Sequence, residues 1–144
     1  MLKGISPLIS PDLIKILMEM GHGDELIIAD GNFPAGSVAR RLVRADGLNA
    51  PPLLEAILQI FPLDTYVEKP VGLMAVVPGD PYKPLIWEEY RAILKKNNPA
   101  FTDFEAIERF AFYERARQAY AVVATSEMAQ YANLVLKKGV VKMS

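Results

Sequence analysis

Apolar and polar positions along the chain alternate between a helical and an extended period. After Ser10 and Pro11, the residues Leu13, Ile14, Ile16, Leu17 and Met20 form one broad apolar face at helical spacing. The Ser10 side chain is available to cap, and Pro11 sits at the first helical position, where its missing N–H costs nothing. Gly21 or Gly23 can supply a left-handed stop, so the spacing predicts a first helix ending at His22. Glu25 to Ala29 is a short apolar run with two isoleucines, closed by Asp30-Gly31 turn chemistry, and predicts a buried strand.

The same reading predicts a second strand over Arg41 to Arg44. Pro51-Pro52 opens a helical pattern, LLEAILQIF, that stops at Pro62, and Val71 to Val77 reads as a strand. Ile86 to Lys96 reads as a helix with its charges facing water, and Arg109 to Gln118 as another. Phe104 to Ile107 fits either a strand or the first turn of a helix. Two β-rich runs, Ala119 to Thr125 and Ala132 to Leu136, surround the polar segment TSEMAQY and predict a hairpin or adjacent strands. The proline-rich PGDPYKP, Pro78 to Pro84, reads as an internal loop. Strands interleaved with helices predict a layered α/β fold, with residues 1–144 as one domain.

Composition narrows the function classes. Of 144 residues, 51% are apolar and 23% charged, which places the chain with soluble globular domains able to bury a substantial core. The net charge is −1 and the basic residues are scattered apart from pairs such as Arg40-Arg41 and Lys137-Lys138, so no nucleic-acid footprint is expected. Cysteine is absent and histidine occurs once, which excludes disulfides, thiolate catalysis and a multi-histidine metal site within one chain. No signal peptide or membrane span is expected, and the default compartment is the cytoplasm.

The single histidine, His22, stands between two glycines. Imidazoles titrate near neutral pH, so it is a candidate general acid or base; it can equally be a polar helix-end residue facing the last carbonyls. Asp30 follows a strand, where α/β folds bind ligands beyond the sheet, and it can equally form an Asx turn or a helix cap in DGNFPAGS. GNFPAG lacks the lysine and the spacing of a phosphate loop, which argues against nucleotide binding. RFAFYERA spaces Arg109, Tyr113 and Arg117 four apart on one helical face, mixing aromatic packing with cationic donors as sugar sites often do; a structural helix with i,i+4 pairs has the same pattern. Tyr131, Ala132 and Asn133 offer a phenol, a backbone segment and an amide at the start of a strand.

Taken together, LKGISPLISPDL, MGHGDELIIAD, NFPA, LVRADGL, PLDTYVEKP, IERFAFYERA and YANLVLKKGV span nearly the whole chain. In these stretches the sequence resembles the monosaccharide mutarotase family that contains ribose pyranase and fucose mutarotase. GHGDE, RFAFYERA and KKGV look like its fucose branch. The resemblance implies a three-layer α/β/α single domain that interconverts the anomers of L-fucose without a metal or redox cofactor. It implies His22 as the catalytic acid, with Asp30, Arg109, Tyr131, Ala132 and Asn133 binding the monosaccharide. A homodecamer with sites at subunit interfaces is also implied. A ribose-type pyranase, or a sugar-binding module that needs no His22, remains the alternative.

Spacing adds one expectation. If the segment from Asp24 to Ala29 is extended, His22 and Asp30 lie up to about 25 Å apart, at about 3.3 Å per residue. A monosaccharide cannot bridge that length. Either the backbone folds back at the glycines, or two subunits supply His22 and Asp30 to one working site, and the second is the expectation.

Overall fold

Leucine, isoleucine and valine alternate along the central strands so that these feed two separate apolar layers. The computed structural model, which describes residues 1–143, has the order α1 (Pro11–Glu19), β1 (Glu25–Ala29), α2 (Ala35–Val38), β2 (Leu42–Ala45), α3 (Ala50–Leu58) and β3 (Val71–Met74). It continues with α4 (Ile86–Asn97), β4 (Glu105–Ile107), α5 (Arg109–Gln118), β5 (Ala121–Thr125) and β6 (Leu134–Lys137). The strands form one six-stranded sheet in the order β2-β5-β1-β6-β3-β4.

In β1, Leu26 and Ile28 join a core with α1, α3 and α4, while Ile27 and Ala29 face the opposite way toward α2 and α5. The same alternation holds in β5, where Val123 faces the first layer and Val122 the second. Three layers, α/β/α, follow directly. Each wholly buried Leu or Ile side chain stabilises the fold by roughly 1.5–3 kcal/mol, so the α1, α3 and α4 side, with Leu13, Leu53, Leu54, Ile57 and Leu94, carries most of the core.

The expected elements are present, with three corrections. α1 starts as predicted, the Ser10 hydroxyl accepting the Leu13 N–H at 3.1 Å, but it ends at Glu19, not His22. Its cap is Met20 in an extended conformation, and the left-handed glycine, Gly23, belongs to the turn that follows. β3 stops at Met74 because its neighbour β4 ends at Ile107, whose carbonyl takes the Ala75 N–H at 2.7 Å and closes the ladder. Residues 35–38 add the short helix α2.

β5 and β6 are neither a hairpin nor neighbours, because β1 lies between them, parallel to β5 and antiparallel to β6. This last correction sets the directions of the sheet. β1 to β5 all point one way and β6 alone runs back, pairing antiparallel with both β1 and β3.

Candidate functional site

At the carboxyl edge, the reversal at β6 opens a crevice between the ends of β1 and β3, the kind of switch point at which open α/β sheets bind ligands. A cleft of about 350 Å³ lies there, lined by Asp30, Asn32, Phe33, Met74, Val77, Arg109, Tyr113, Gln130, Tyr131 and Asn133. Its walls combine three apolar side chains with convergent polar groups, as small-molecule sites do. A separate groove near the N-terminus, lined by Leu2, Ile5, Pro7 and Ile14, carries no ionisable side chain.

Asp30 is the first residue beyond β1 and is 8% exposed. Its N–H donates to Asn133 Oδ1 at 2.7 Å, tying the end of β1 to the start of β6, and its carboxylate accepts the Asn32 N–H at 3.0 Å. The Asx turn is therefore real, and it is how the carboxylate is aimed. Burial pushes the Asp30 carboxyl above its usual range, although the Asn32, Ala132 and Phe33 N–H groups and the Asn133 amide oppose the shift.

Arg109, in the first turn of α5, donates from Nε to the Tyr113 hydroxyl at 3.1 Å, and Tyr113 packs on Phe33 with ring centroids 5.6 Å apart. Tyr113 thus serves both cleft and packing. Arg117 does not join them. It pairs with Glu114 in solvent, because two turns of helix carry it away from the sheet edge.

Tyr131 is the one non-glycine residue in the left-handed region among those described, at φ 57°. This conformation costs an ordinary residue about 1–2 kcal/mol. Two side chains of α4 hold it: Trp87 Nε1–H donates to the Tyr131 carbonyl at 2.7 Å, and the buried Tyr90 hydroxyl donates to the Ala132 carbonyl at 2.8 Å. Ala132 itself is fully buried and meets the site through its backbone N–H near Asp30, not through a side chain. The cleft therefore brings together Asp30, Arg109, Tyr131 and Asn133, with Ala132 beneath them.

His22 is elsewhere. It precedes β1 and so lies at the amino edge of the sheet, the full length of the strand away from Asp30. Gly23 N–H donates to the Lys138 carbonyl and Lys138 N–H to the Asp24 carbonyl, each at 2.8 Å, which fixes the glycine turn against the end of β6. The other side of that seam holds the segment after α3. Asp64 N–H donates to the Lys137 carbonyl at 3.0 Å, and Gly139 lies so close to it that a Cβ there would meet the Leu63 carbonyl oxygen at 2.5 Å.

That seam places Asp64 beside the histidine. His22 Nε2 lies 3.0 Å from Asp64 Oδ1, and the Tyr66 ring centroid is 5.1 Å from the imidazole. The Asp64 side chain is 3% exposed and that of His22 is 43% exposed. Burial alone would raise the Asp64 carboxyl, but the Tyr66 N–H and the His22 ring outweigh it and hold it below the usual carboxylate range. An ionised carboxylate only accepts, so Nε2 carries the proton and Nδ1 is the ring atom left to exchange one. Sequence reading missed Asp64 because only the strand seam, not spacing, brings it 42 positions back to His22.

Among the described residues no group of three histidine, cysteine or acidic side chains is placed to hold a metal, and no helix is long and apolar enough to cross a membrane.

Comparison with known proteins places this geometry. The sequence profile of the RbsD / FucU transport protein family matches residues 3–141. The chain is 53% identical over 140 residues to an L-fucose mutarotase of Actinobacillus pleuropneumoniae, covering 97% of each chain. It is 50% identical to the human fucose mutarotase, covering 99% of this chain and 96% of that one. The crystal structure of a Streptococcus pneumoniae fucose mutarotase in complex with L-fucose superposes with a TM-score of 0.92 at 50% identity, over 98% of this chain and 100% of that one. The expected mixed α/β domain is the fold of that structure.

Proposed function

This chain belongs to the RbsD / FucU transport protein family, and from that premise we propose that it is an isomerase interconverting the α and β anomers of L-fucose. The observation that carries this reading is similarity at 50–53% identity, over nearly the entire chain, to proteins named for that reaction, one of them solved with the sugar bound. The ribose alternative is not favoured, since these relatives are named for fucose.

The chemistry needs two proton movements. Ring opening protonates the ring oxygen, takes the proton from the anomeric hydroxyl and breaks the bond between the anomeric carbon and the ring oxygen. The aldehyde turns over, and both movements reverse. His22 is proposed to move the proton through Nδ1, with Asp64 fixing the ring through Nε2; positioned acid–base catalysis of this kind contributes typically about 10²–10⁴-fold. Asp30, Arg109, Tyr131 and Asn133, with the Ala132 backbone, are proposed to hold the sugar hydroxyls.

His22 and this cleft stand at opposite edges of one sheet, which supports a working site assembled from two subunits, the amino edge of one facing the carboxyl edge of its partner. A homodecamer, from the family resemblance, and a cytoplasmic location, the default reading of the sequence, complete the proposal.

The test is saturation-transfer NMR on the anomeric protons of L-fucose, D-ribose and D-galactose. The proposal expects accelerated exchange for L-fucose that is lost in His22→Ala. Exchange at the buffer rate for every sugar, with ligand-induced shifts still present, would instead make the protein a sugar-binding module.

A further inference from the structure

The segment between β3 and α4 has no helix or strand of its own, yet it contributes Val77 to the cleft wall and carries an acid, Asp80, that the proposed reaction does not use. Asp80 is exposed, and both of its oxygens are engaged. Oδ2 accepts the Tyr131 hydroxyl at 2.6 Å, and Oδ1 accepts the Tyr82 N–H at 2.9 Å. The Tyr82 ring lies against that of Tyr131, centroids 6.0 Å apart. The Val77 N–H reaches the same Tyr131 hydroxyl oxygen at 3.4 Å.

Tyr131 is therefore gripped at both ends. α4 holds its backbone in the left-handed conformation through Trp87 and Tyr90, and Asp80 holds the tip of its side chain. A phenol has one proton to donate and two lone pairs. The proton goes to Asp80 and one lone pair faces the Val77 N–H, so what remains for a ligand is an acceptor.

We propose that Asp80 is a positioning residue for the sugar: it fixes the Tyr131 phenol in the cleft wall and makes its oxygen an acceptor for a sugar hydroxyl. This rests on the reading of the cleft as the L-fucose site. The two bonds that Asp80 accepts also hold its carboxyl below the usual range, so the acceptor is a carboxylate at neutral pH, and a phenol bound to it is harder to ionise.

The experiment measures L-fucose affinity and anomer exchange in wild type, Asp80→Ala, Asp80→Asn, Tyr131→Phe and the double variant Asp80→Ala/Tyr131→Phe. In the same proteins, NMR of tyrosine labelled at Cζ follows the Tyr131 titration. Asp80→Ala should weaken L-fucose binding about fivefold to tenfold, the size expected for one hydrogen bond of roughly 1 kcal/mol or slightly more. It should leave the saturated exchange rate within about twofold, and the Tyr131 phenol should titrate lower. Asp80→Asn, which keeps an acceptor oxygen, should recover most of the affinity. Once Tyr131 is Phe, removing Asp80 should do nothing more.

Unchanged affinity in Asp80→Ala, or an equal loss in the Tyr131→Phe background, overturns the proposal. Wild type that neither binds L-fucose nor accelerates its exchange overturns the sugar reading instead. The Tyr131 titration then judges the Asp80 contact alone, and an unmoved titration in Asp80→Ala overturns it.

Discussion

Asp64 at the amino edge of the sheet and Asp30 at its carboxyl edge are both buried carboxylates, and the two are treated in opposite ways. At the amino edge, Asp64 meets the imidazole of His22 and the Tyr66 N–H, and these lower its proton affinity despite burial. At the carboxyl edge, Asp30 meets only neutral donors, and burial wins, raising its proton affinity. The difference teaches what each edge is built for. Asp64 is settled as a charge with a partner and fixes the His22 ring. Asp30 is a charge held ready without a cationic partner, at a cost to the fold, as binding groups awaiting a ligand are.

The largest effect should come from the amino edge. His22→Ala should lower the catalysed L-fucose exchange rate by about 10²–10⁴-fold, read by saturation transfer, while sugar-induced shifts at the cleft persist. Asp64→Asn should come next, at about tenfold to a hundredfold, since an amide can donate to the ring as well as accept from it and no longer fixes the tautomer; each factor of ten is about 1.4 kcal/mol of barrier.

Thermal unfolding against pH sharpens the contrast between the two acids. A lowered carboxyl contributes stability above its unfolded pKa of about 3.9 and loses it as pH falls through the folded value, so the penalty of Asp64→Asn should begin to shrink below about pH 4 and vanish only once the pH is below the folded value. A raised carboxyl behaves the other way. Its contribution is fully present below the unfolded pKa and is lost as pH rises through the folded value. Asp30→Asn should therefore raise the midpoint at neutral pH and lose that advantage in acid, while abolishing sugar binding. The smallest effect belongs to Arg117→Ala: no change in exchange and little in stability, since its pair with Glu114 is largely in solvent.

Much of the fold was legible because period and punctuation agree locally. Ser10-Pro11 starts its helix where capping chemistry puts it, Pro51-Pro52 sits in the first turn of α3, and ELIIA is a strand with the bounds its apolar run suggests. What was illegible is what depends on long-range pairing. Nothing local in Ala119 to Leu136 reveals that β1 inserts between β5 and β6.

The same holds for the site. Asp30 and Asn133 carry local signals, a strand end and a polar residue opening a strand, and the structure joins them directly. Asp64 and Asp80 carry none, because each acts through a partner 42 or 51 positions away. Arg117 had a helical-spacing signal that the length of α5 cancels. The separation of His22 from Asp30 was legible from strand arithmetic alone, and the position of Glu25–Ala29 as an extended central strand gives it physical form.

The central claim, that one working site draws on two subunits, is tested most directly by mixing. Inactive His22→Ala chains are unfolded and refolded together with inactive Asp30→Ala chains, and hetero-oligomers are isolated by two affinity tags. Accelerated exchange of L-fucose anomers in that fraction, absent from either variant alone, is the predicted result. Exchange that stays at the buffer rate in confirmed hetero-oligomers would contradict the shared site.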